Sequence, residues 1–333
     1  MTTSAGPRLA EVLTPLLAVT SGATGVAVAA RHDGQRVVLC SGVTARDDPS
    51  PVRPDTRFEL GSLTKTFTAL LLADAVARGE VGYDDPVERH LPPGSLHRVR
   101  HPVTPTRLAT HTSGLPQLPP GLLRAAVPHW STNPYRAFGP DDLVAAARRT
   151  RARPPGRVRY SNFGVALLGL ALSRAAGRPY EDLVAERVLR PLGLADTGCA
   201  TTPQATGHLR GRPRPPWEIP GMPAAGVLRS SADDLLRYLE AHLAPRDGAL
   251  SEALTEVVRP RLDPDLCLVW NLRRKPGHDL LFHSGGTRGF TAFAGFSPQS
   301  GAALVVLTNA GPVVGGGGRI QSAYEALHSL AAR

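Results

Sequence analysis

The chain has 333 residues, of which 42% are hydrophobic and 20% charged, so it can bury a sizeable core and has the composition of an ordinary globular protein. It has no run of about 18 apolar residues, and the sequence therefore predicts no transmembrane helix and no membrane partner. The net charge of +10 is accompanied by only 5% aromatic residues and by no nucleic-acid-binding motif, so no nucleic-acid partner is predicted.

The N-terminal segment shows helical periodicity. Its apolar residues between Leu9 and Leu17 are spaced as on one face of a helix, and no basic start precedes them. These features predict a surface helix rather than a signal peptide, and a cytoplasmic location. The three cysteines are far apart, and neither they nor the histidines show ligand spacing, so no disulfide framework, metal or cofactor is predicted.

Strand patterns lie near both ends of the chain. Apolar runs on either side of Asp33-Gly34, starting at Gly25, predict a hairpin. A second predicted hairpin joins "FTAFAGFSP" to "AALVVLTNA", and a helix from about Arg319 is predicted to close the chain after the glycine run Gly315 to Gly318.

Between these ends the pattern is helical. Predicted helices cover Ser62 to Ala77, Phe163 to Ala176, Tyr180 to Leu189, and a stretch from the capping residue Ser231 to about Leu243.

This order of elements predicts an α/β fold, in which an antiparallel sheet formed by the N- and C-terminal segments is flanked by helices and carries an inserted, mainly helical subdomain. We predict one domain, with residues 1–80 and 225–333 in the sheet part and residues 81–224 in the helical part. An active site is expected in the crevice between the two parts.

Ser62 and Lys65 form an S-x-x-K pattern at the start of the first long helix. Of the 38 lysines and arginines, only Lys65 and Lys275 are lysines. Residues three apart share a helix face, so the amine can reach the hydroxyl and act as its base, which a guanidinium cannot do. The same pattern also fits a helix N-cap serine followed by a solvated lysine, and further residues must decide between the two interpretations.

Two further segments add polar groups. Tyr160-Ser161-Asn162 lies in a predicted turn before a helix, where a tyrosine hydroxyl can relay a proton and Asn162 can bind a carbonyl. His283-Ser284-Gly285-Gly286 precedes the penultimate strand, where glycines allow a substrate to lie against a strand edge. Alone, the first is also typical of a capped helix start, and the second of a turn into a strand.

Together the three elements resemble the serine β-lactamase and penicillin-binding-protein superfamily, in particular its class C-like branch of D-alanyl-D-alanine carboxypeptidases, D-aminopeptidases, esterases and acyltransferases. The similarity extends over most of the region from Phe58 to Gly311. It includes "RFELGSLTKTFTALLLADAVARGEVGYDDPVERHLP", "LATHTSGLP", "PPGRVRYSNFGVALLGLALSRAAGRPYEDLVAERVLRPLGLADT", "PAAGVLRSSADDLLRYL" and "FHSGGTRGFTAFAGFSPQSGAALVVLTNAG".

The resemblance implies roles for these residues. Ser62 is the implied acyl nucleophile, Lys65 its proton acceptor, and Tyr160 the base or proton relay that protonates the leaving group. Asn162 is implied to orient the substrate and Lys65.

It also implies a substrate-binding element at His283, Ser284, Gly285 and Gly286. The backbone N–H groups of Ser62 and Gly286 are the implied oxyanion hole. Gln117, after "HTSGLP", is expected to contact the amide on the acyl side.

One departure from the family pattern bears on the activity. The third element reads His-Ser-Gly instead of Lys-Thr-Gly, which looks more like peptidases, esterases and acyltransferases than like dedicated β-lactamases. A histidine at that position is expected to supply only a partial, pH-dependent positive charge, so strong β-lactam hydrolysis is not expected.

Three functions remain open from the sequence. The first is a cofactor-free serine hydrolase that acts through a Ser62 acyl-enzyme on a small ester, amide or D-amino-acid peptide. The second is an acyltransferase that passes the acyl group to an amine or alcohol. The third is a non-catalytic binding protein of the same fold.

Some features have two interpretations. The arginines between Arg148 and Arg159 form either a basic rim that attracts an anionic substrate or partner, or a solvated face. Trp130 and Trp217 lie in loops expected to line the cleft, where they are either its walls or packing residues.

Overall fold

A computed structural model describes residues 7–18, 22–312 and 318–332. The strands are β1 (Gly25–His32), β2 (Gln35–Gly42), β3 (Phe58–Glu59), β4 (Gly207–Leu209), β5 (Arg212–Arg214), β6 (Arg229–Ser230), β7 (Asn271–Lys275), β8 (His278–Gly286), β9 (Thr291–Phe296) and β10 (Ala303–Thr308). The α-helices are α1 (Pro7–Leu13), α2 (Thr64–Ala77), α3 (Pro105–Ala109), α4 (Leu122–Ala126), α5 (Pro140–Arg149), α6 (Asn162–Ala176), α7 (Tyr180–Val184), α8 (Ala232–Leu243), α9 (Ser251–Glu256) and α10 (Gly318–Ala331).

The main sheet has six strands in the order β2-β1-β10-β9-β8-β7, and each neighbouring pair is antiparallel. The first and last parts of the chain meet where β1 pairs with β10, with Val26 opposite Thr308 and Arg31 opposite Ala303. This arrangement confirms the predicted fold class, an antiparallel sheet built from both terminal segments.

Side-chain alternation in β1 divides the core between the two faces of the sheet. Val26, Val28 and Ala30 pack in a cluster with α1 and α10. Ala27 and Ala29 belong to the larger cluster on the opposite face, which includes α2, α6 and α8. Both faces of the sheet are therefore covered, and β8 presents its Gly286 end to the start of α2.

The helices predicted from sequence are present with small shifts at their ends. The predicted helix ending at Leu189 is an α-helix up to Val184 that continues as a π-helical turn over Ala185–Leu189. The capping prediction at Ser231 is confirmed, since its Oγ accepts from Asp234 N at 3.2 Å. The glycine run at 315–317 lies outside the described residues. Within the described ranges, no helix combines the length and apolar composition needed to cross a bilayer.

Strand β7 was not predicted. Its sequence, "NLRRK", is rich in exposed basic residues because it forms one edge of the sheet, where only one side of the strand pairs. Edge strands that carry charge resist pairing with other chains. The same charged residues interrupt the apolar pattern by which a strand is recognised in a sequence.

Candidate active site

Ser62 lies where a short strand turns into a helix. Strand β3 ends at Glu59, a 3₁₀ turn covers Gly61–Leu63, and α2 starts at Thr64. Gly61 has φ +50°, and a Cβ atom there would lie 2.5 Å from the carbonyl oxygen of Gly286. Glycine is needed at this position for both reasons, and the missing side chain allows the turn that carries Ser62 to pack against the end of β8.

The side chain of Lys65 is fully buried and points at Ser62. Its Nζ lies 2.8 Å from Ser62 Oγ and also donates to the carbonyl oxygen of Ala225 at 2.7 Å. Burial lowers the pKa of Lys65 from its usual range, although interaction with Tyr160 opposes the shift. A lowered pKa increases the fraction of neutral amine that can accept the serine proton.

Tyr160 lies at the mouth of the site and is 39% exposed. Lys65 Nζ is 5.1 Å from the centroid of its ring. The next residue, Ser161, caps α6 by accepting from Gly164 N at 2.8 Å, so this segment is a capped helix start in which Ser161 is extended and Asn162 is already helical. The phenol therefore lies beside the amine at the start of a buried helix.

His111 supports this tyrosine, and sequence reasoning did not select it. Its ring centroid is 4.6 Å from that of Tyr160, and its Nδ1 accepts from Ser161 N at 3.2 Å. Burial, with a further contribution from Lys65, lowers the pKa of His111 to about 3. Its sequence context, "LATHTSG", is a run of mostly small and polar residues that does not distinguish it from a structural histidine.

Asn162 is the first residue of α6, and its amide contacts a second tyrosine. Asn162 Nδ2 donates to Tyr135 Oη at 3.4 Å, while Asn162 Oδ1 is buried without a hydrogen-bond partner among the described residues. Tyr135, which the sequence also did not single out, packs edge-on against Trp217 at 5.4 Å between ring centroids. Trp217 is 8% exposed, so it packs under this side of the site and is not an open wall.

His283 is buried in β8 and faces the site. Desolvation, with a contribution from the nearby Lys65, lowers the pKa of His283 to about 3. The sequence predicted a partial positive charge at this position. The low pKa of His283 contradicts that prediction, because burial disfavours the charged imidazolium. At neutral pH the side chain is a neutral imidazole, whose buried Nδ1 has no hydrogen-bond partner among the described residues.

The last residues of β8 pack directly on the turn that carries Ser62. A Cβ atom on Gly285 would lie 1.9 Å from Leu60 O and 3.0 Å from Ser62 N. This contact brings the strand end, with Ser284, Gly285 and Gly286, to the backbone N–H of Ser62. Glycine at 285 is thus required by close approach of two backbones.

A cavity of about 260 Å³ opens at this junction. It is lined by Ser62, Tyr160, Asn271, His283, Ser284, Gly285, Gly286, Pro312 and Ile320. Six of the residues predicted from sequence therefore share one cavity. Gln117 does not line it; that residue is exposed, and its carbonyl oxygen accepts from Phe163 N at 3.2 Å. Two larger surface cavities, of about 830 and 840 Å³, lie away from Ser62 and have arginine-rich linings.

Comparison with known proteins gives a consistent result. The profile of the family described as Beta-lactamase matches residues 9–325. The D-alanyl-D-alanine-carboxypeptidase/endopeptidase AmpH of Escherichia coli (strain K12) is 31% identical over 230 residues, which are 67% of this chain and 58% of that protein. The chain thus matches less than two thirds of the length of AmpH.

Two other proteins are similar over most of their length. Esterase EstB of Burkholderia gladioli is 31% identical over 278 residues, covering 70% of this chain and 69% of the esterase. The crystal structure of a class C beta-lactamase from Rhodobacter sphaeroides superposes with a TM-score of 0.79 at 25% identity, covering 98% of this chain and 99% of the other.

Proposed function

The chain belongs to the Beta-lactamase family of serine hydrolases, as its motifs indicated, and on that premise we propose that it cleaves a small ester, amide or D-amino-acid peptide through an acyl-enzyme on Ser62. The relatives are named as a carboxypeptidase/endopeptidase, an esterase and beta-lactamases, so bond cleavage at a carbonyl is common to them. The substrate class given for this chain is likewise proposed.

The main support for this proposal is that the buried Lys65 amine lies 2.8 Å from Ser62 Oγ. A serine hydroxyl attacks a carbonyl only when a neighbouring group takes its proton. Burial lowers the pKa of Lys65, and the Ala225 carbonyl holds its amine in place by accepting a second hydrogen bond. The amine is thus both oriented and easier to deprotonate.

The proposed reaction has two steps. In the first, Ser62 Oγ bonds to the substrate carbonyl carbon, its proton passes to Lys65, and the N–H groups of Ser62 and Gly286 bind the oxyanion. The bond to the leaving group then breaks, and Tyr160 supplies the leaving group's proton. In the second, water attacks the acyl carbon and gives a proton to the Tyr160 phenolate, the bond to Ser62 Oγ breaks, and Lys65 returns its proton to Ser62 as the acid leaves.

The neutral state of His283 favours substrates without a carboxylate beside the scissile bond, such as simple esters, over β-lactams. A β-lactam antibiotic carries a carboxylate beside the bond that is cleaved, and a fixed positive charge at the third element would bind it. With a pKa of about 3, His283 offers a neutral imidazole there instead. We expect acylation by β-lactams to be slow.

Intact-protein mass spectrometry with a fluorophosphonate tests the proposal. The wild type is expected to gain one adduct, and Ser62→Ala to gain none. Absence of an adduct with the fluorophosphonate, together with no hydrolysis of aryl esters, would contradict the enzyme assignment. Product analysis with and without an added amine then distinguishes hydrolysis from acyl transfer.

A further inference from the structure

Arg288 is a half-buried cation close to the oxyanion site. It lies in the turn between β8 and β9, two residues after Gly286. No carboxylate among the described residues forms an ion pair with it; its guanidinium lies over the ring of Trp130, 5.4 Å from the ring centroid. A guanidinium held on an aromatic face keeps its N–H donors free for a planar anion such as a carboxylate.

The backbone around Arg288 is fixed. Thr287 Oγ1 accepts from Gly289 N at 3.2 Å and from Phe290 N at 3.1 Å, which closes the turn. His208 N donates to Gly289 O at 3.1 Å and ties the turn to β4. Arg288 is therefore held at a constant position relative to Gly286.

Arg288 lies on the side of the site formed by Tyr135 and Asn162. Its positive charge acts on the Tyr135 hydroxyl, where it partly opposes the increase in pKa that burial causes. That hydroxyl accepts from Asn162 Nδ2. In the proposed reaction Asn162 orients the acyl group, which then extends past Asn162 toward Tyr135.

Further apolar side chains are exposed on the helical segment that precedes Trp130. Trp130 is 54% exposed, and Leu123 and Val127, on the helical segment before it, are 59% and 72% exposed. Exposed aromatic and aliphatic side chains beside an unpaired arginine suit a chain of methylene groups that ends in a negative charge.

Resting on the proposed acyl-enzyme chemistry, we propose that Arg288 and Trp130 form a subsite for a carboxylate at the far end of the acyl group. The preferred substrates are then esters or amides of dicarboxylic acids, with one carboxyl group in the scissile bond and the other paired with Arg288. Trp130 positions the guanidinium and covers the methylene chain. The reaction at Ser62 is unchanged.

Two esters with the same six-carbon acyl chain test this subsite: mono-4-nitrophenyl adipate, which ends in a carboxylate, and 4-nitrophenyl hexanoate, which does not. The wild type is expected to show the higher kcat/KM with the adipate ester. Arg288→Gln is expected to lower the adipate-to-hexanoate ratio of kcat/KM about tenfold, mainly through KM for the adipate ester. Arg288→Lys retains the charge and is expected to restore part of the ratio.

Arg124→Gln is the matched control, since it removes an exposed arginine of α4 that has no place in the subsite. It is expected to leave the ratio within about twofold of the wild type, because exposed charges are screened by salt. If Arg288→Gln fails to fold, Trp130→Ala replaces it in the test. That variant is expected to lower the adipate-to-hexanoate ratio of kcat/KM.

The outcomes separate the two proposals. If both esters are hydrolysed in a Ser62-dependent way, but the hexanoate ester is preferred or Arg288→Gln leaves the ratio unchanged, the subsite is wrong and the hydrolase proposal stands. If neither ester is hydrolysed and the fluorophosphonate forms no adduct, the hydrolase proposal fails and the subsite fails with it.

Discussion

The hydroxyl of Thr287 donates to the carboxylate of Glu59 at 2.7 Å, across the junction between the end of β8 and the turn that carries Ser62. Glu59 ends β3, three residues before Ser62, and Thr287 follows Gly286 at the end of β8. The Glu59 carboxylate is 3% exposed and also accepts from Trp217 N at 2.6 Å. This buried carboxylate therefore links the two backbone segments that supply the proposed oxyanion hole.

Glu59→Gln is expected to destabilise the fold by about 3 kcal/mol, because it removes a charge from a buried pair and leaves the other charge unpaired. That other charge is Arg229, which is 1% exposed with its Nη2 3.7 Å from Glu59 Oε1. Urea unfolding measures the change. Thr287→Val loses the hydrogen bond to the same carboxylate and the two that Thr287 Oγ1 accepts from Gly289 N and Phe290 N, and it is expected to cost about 3 kcal/mol. Equal stability of Glu59→Gln and the wild type would contradict this account.

Lys65→Arg is expected to lower kcat/KM for an aryl ester by about a thousandfold, in line with the loss of a general base. The positive charge remains, but a guanidinium cannot accept the Ser62 proton. Lys275→Arg is the matched control, because Lys275 is the only other lysine and lies on the edge strand β7. It is expected to retain wild-type rates. Near wild-type activity of Lys65→Arg would show that the amine is not the base.

Gly285→Ala is expected to abolish fluorophosphonate labelling, because its Cβ would lie 1.9 Å from Leu60 O and 3.0 Å from Ser62 N. The strand end must then move away from the turn that carries Ser62. Gly318→Ala is the control, since a Cβ there meets no atom of the described residues within 4 Å. Circular dichroism distinguishes a displaced site from an unfolded chain, and normal labelling of a folded Gly285→Ala variant would show that the contact does not position Ser62.

Local sequence patterns were sufficient for the hairpins, the long helices and the S-x-x-K element. The turn at Asp33-Gly34 has φ +48° and +73°, the left-handed conformation that favours these residue types. Ser62 and Lys65 were identifiable because helix geometry alone brings residues three apart together. Such features depend only on neighbours in the chain.

Local sequence patterns could not identify the groups that orient the site residues or depend on burial for their protonation state. The carbonyl oxygen of Ala225 binds Lys65 across 160 residues, and His111 reaches Ser161 across 50. A backbone carbonyl has no sequence signature, and a buried histidine in a polar loop has the same pattern as a structural one. The neutral state of His283 depends on its burial in the folded protein, which the local His-Ser-Gly motif does not predict.

Buried histidines give the protein an expected sensitivity to acid. Burial lowers the pKa values of His111 and His283 to about 3 and that of His242 to about 4, below the ordinary value of 6.5. Between pH 6.5 and about 4 the unfolded chain binds protons at these positions and the folded chain does not, so stability falls as pH falls. Each histidine is expected to contribute about 1.4 kcal/mol per pH unit in that window, which urea unfolding at several pH values measures.

The substitution His242→Phe removes one of these buried histidines and leaves the residues of the candidate active site unchanged. The ring of His242 stacks on Phe296 with 5.3 Å between centroids and meets Trp270 edge-on, so a phenyl ring fits the same contacts. At pH 8 the imidazole is neutral and neither of its buried ring nitrogens has a hydrogen-bond partner among the described residues, so the variant is expected to be at least as stable as the wild type. At pH 5 it avoids a proton-linked loss of about 2 kcal/mol and is expected to be more stable than the wild type. Parallel stability curves for the two proteins between pH 8 and pH 5 would show that His242 is not neutral in the folded state.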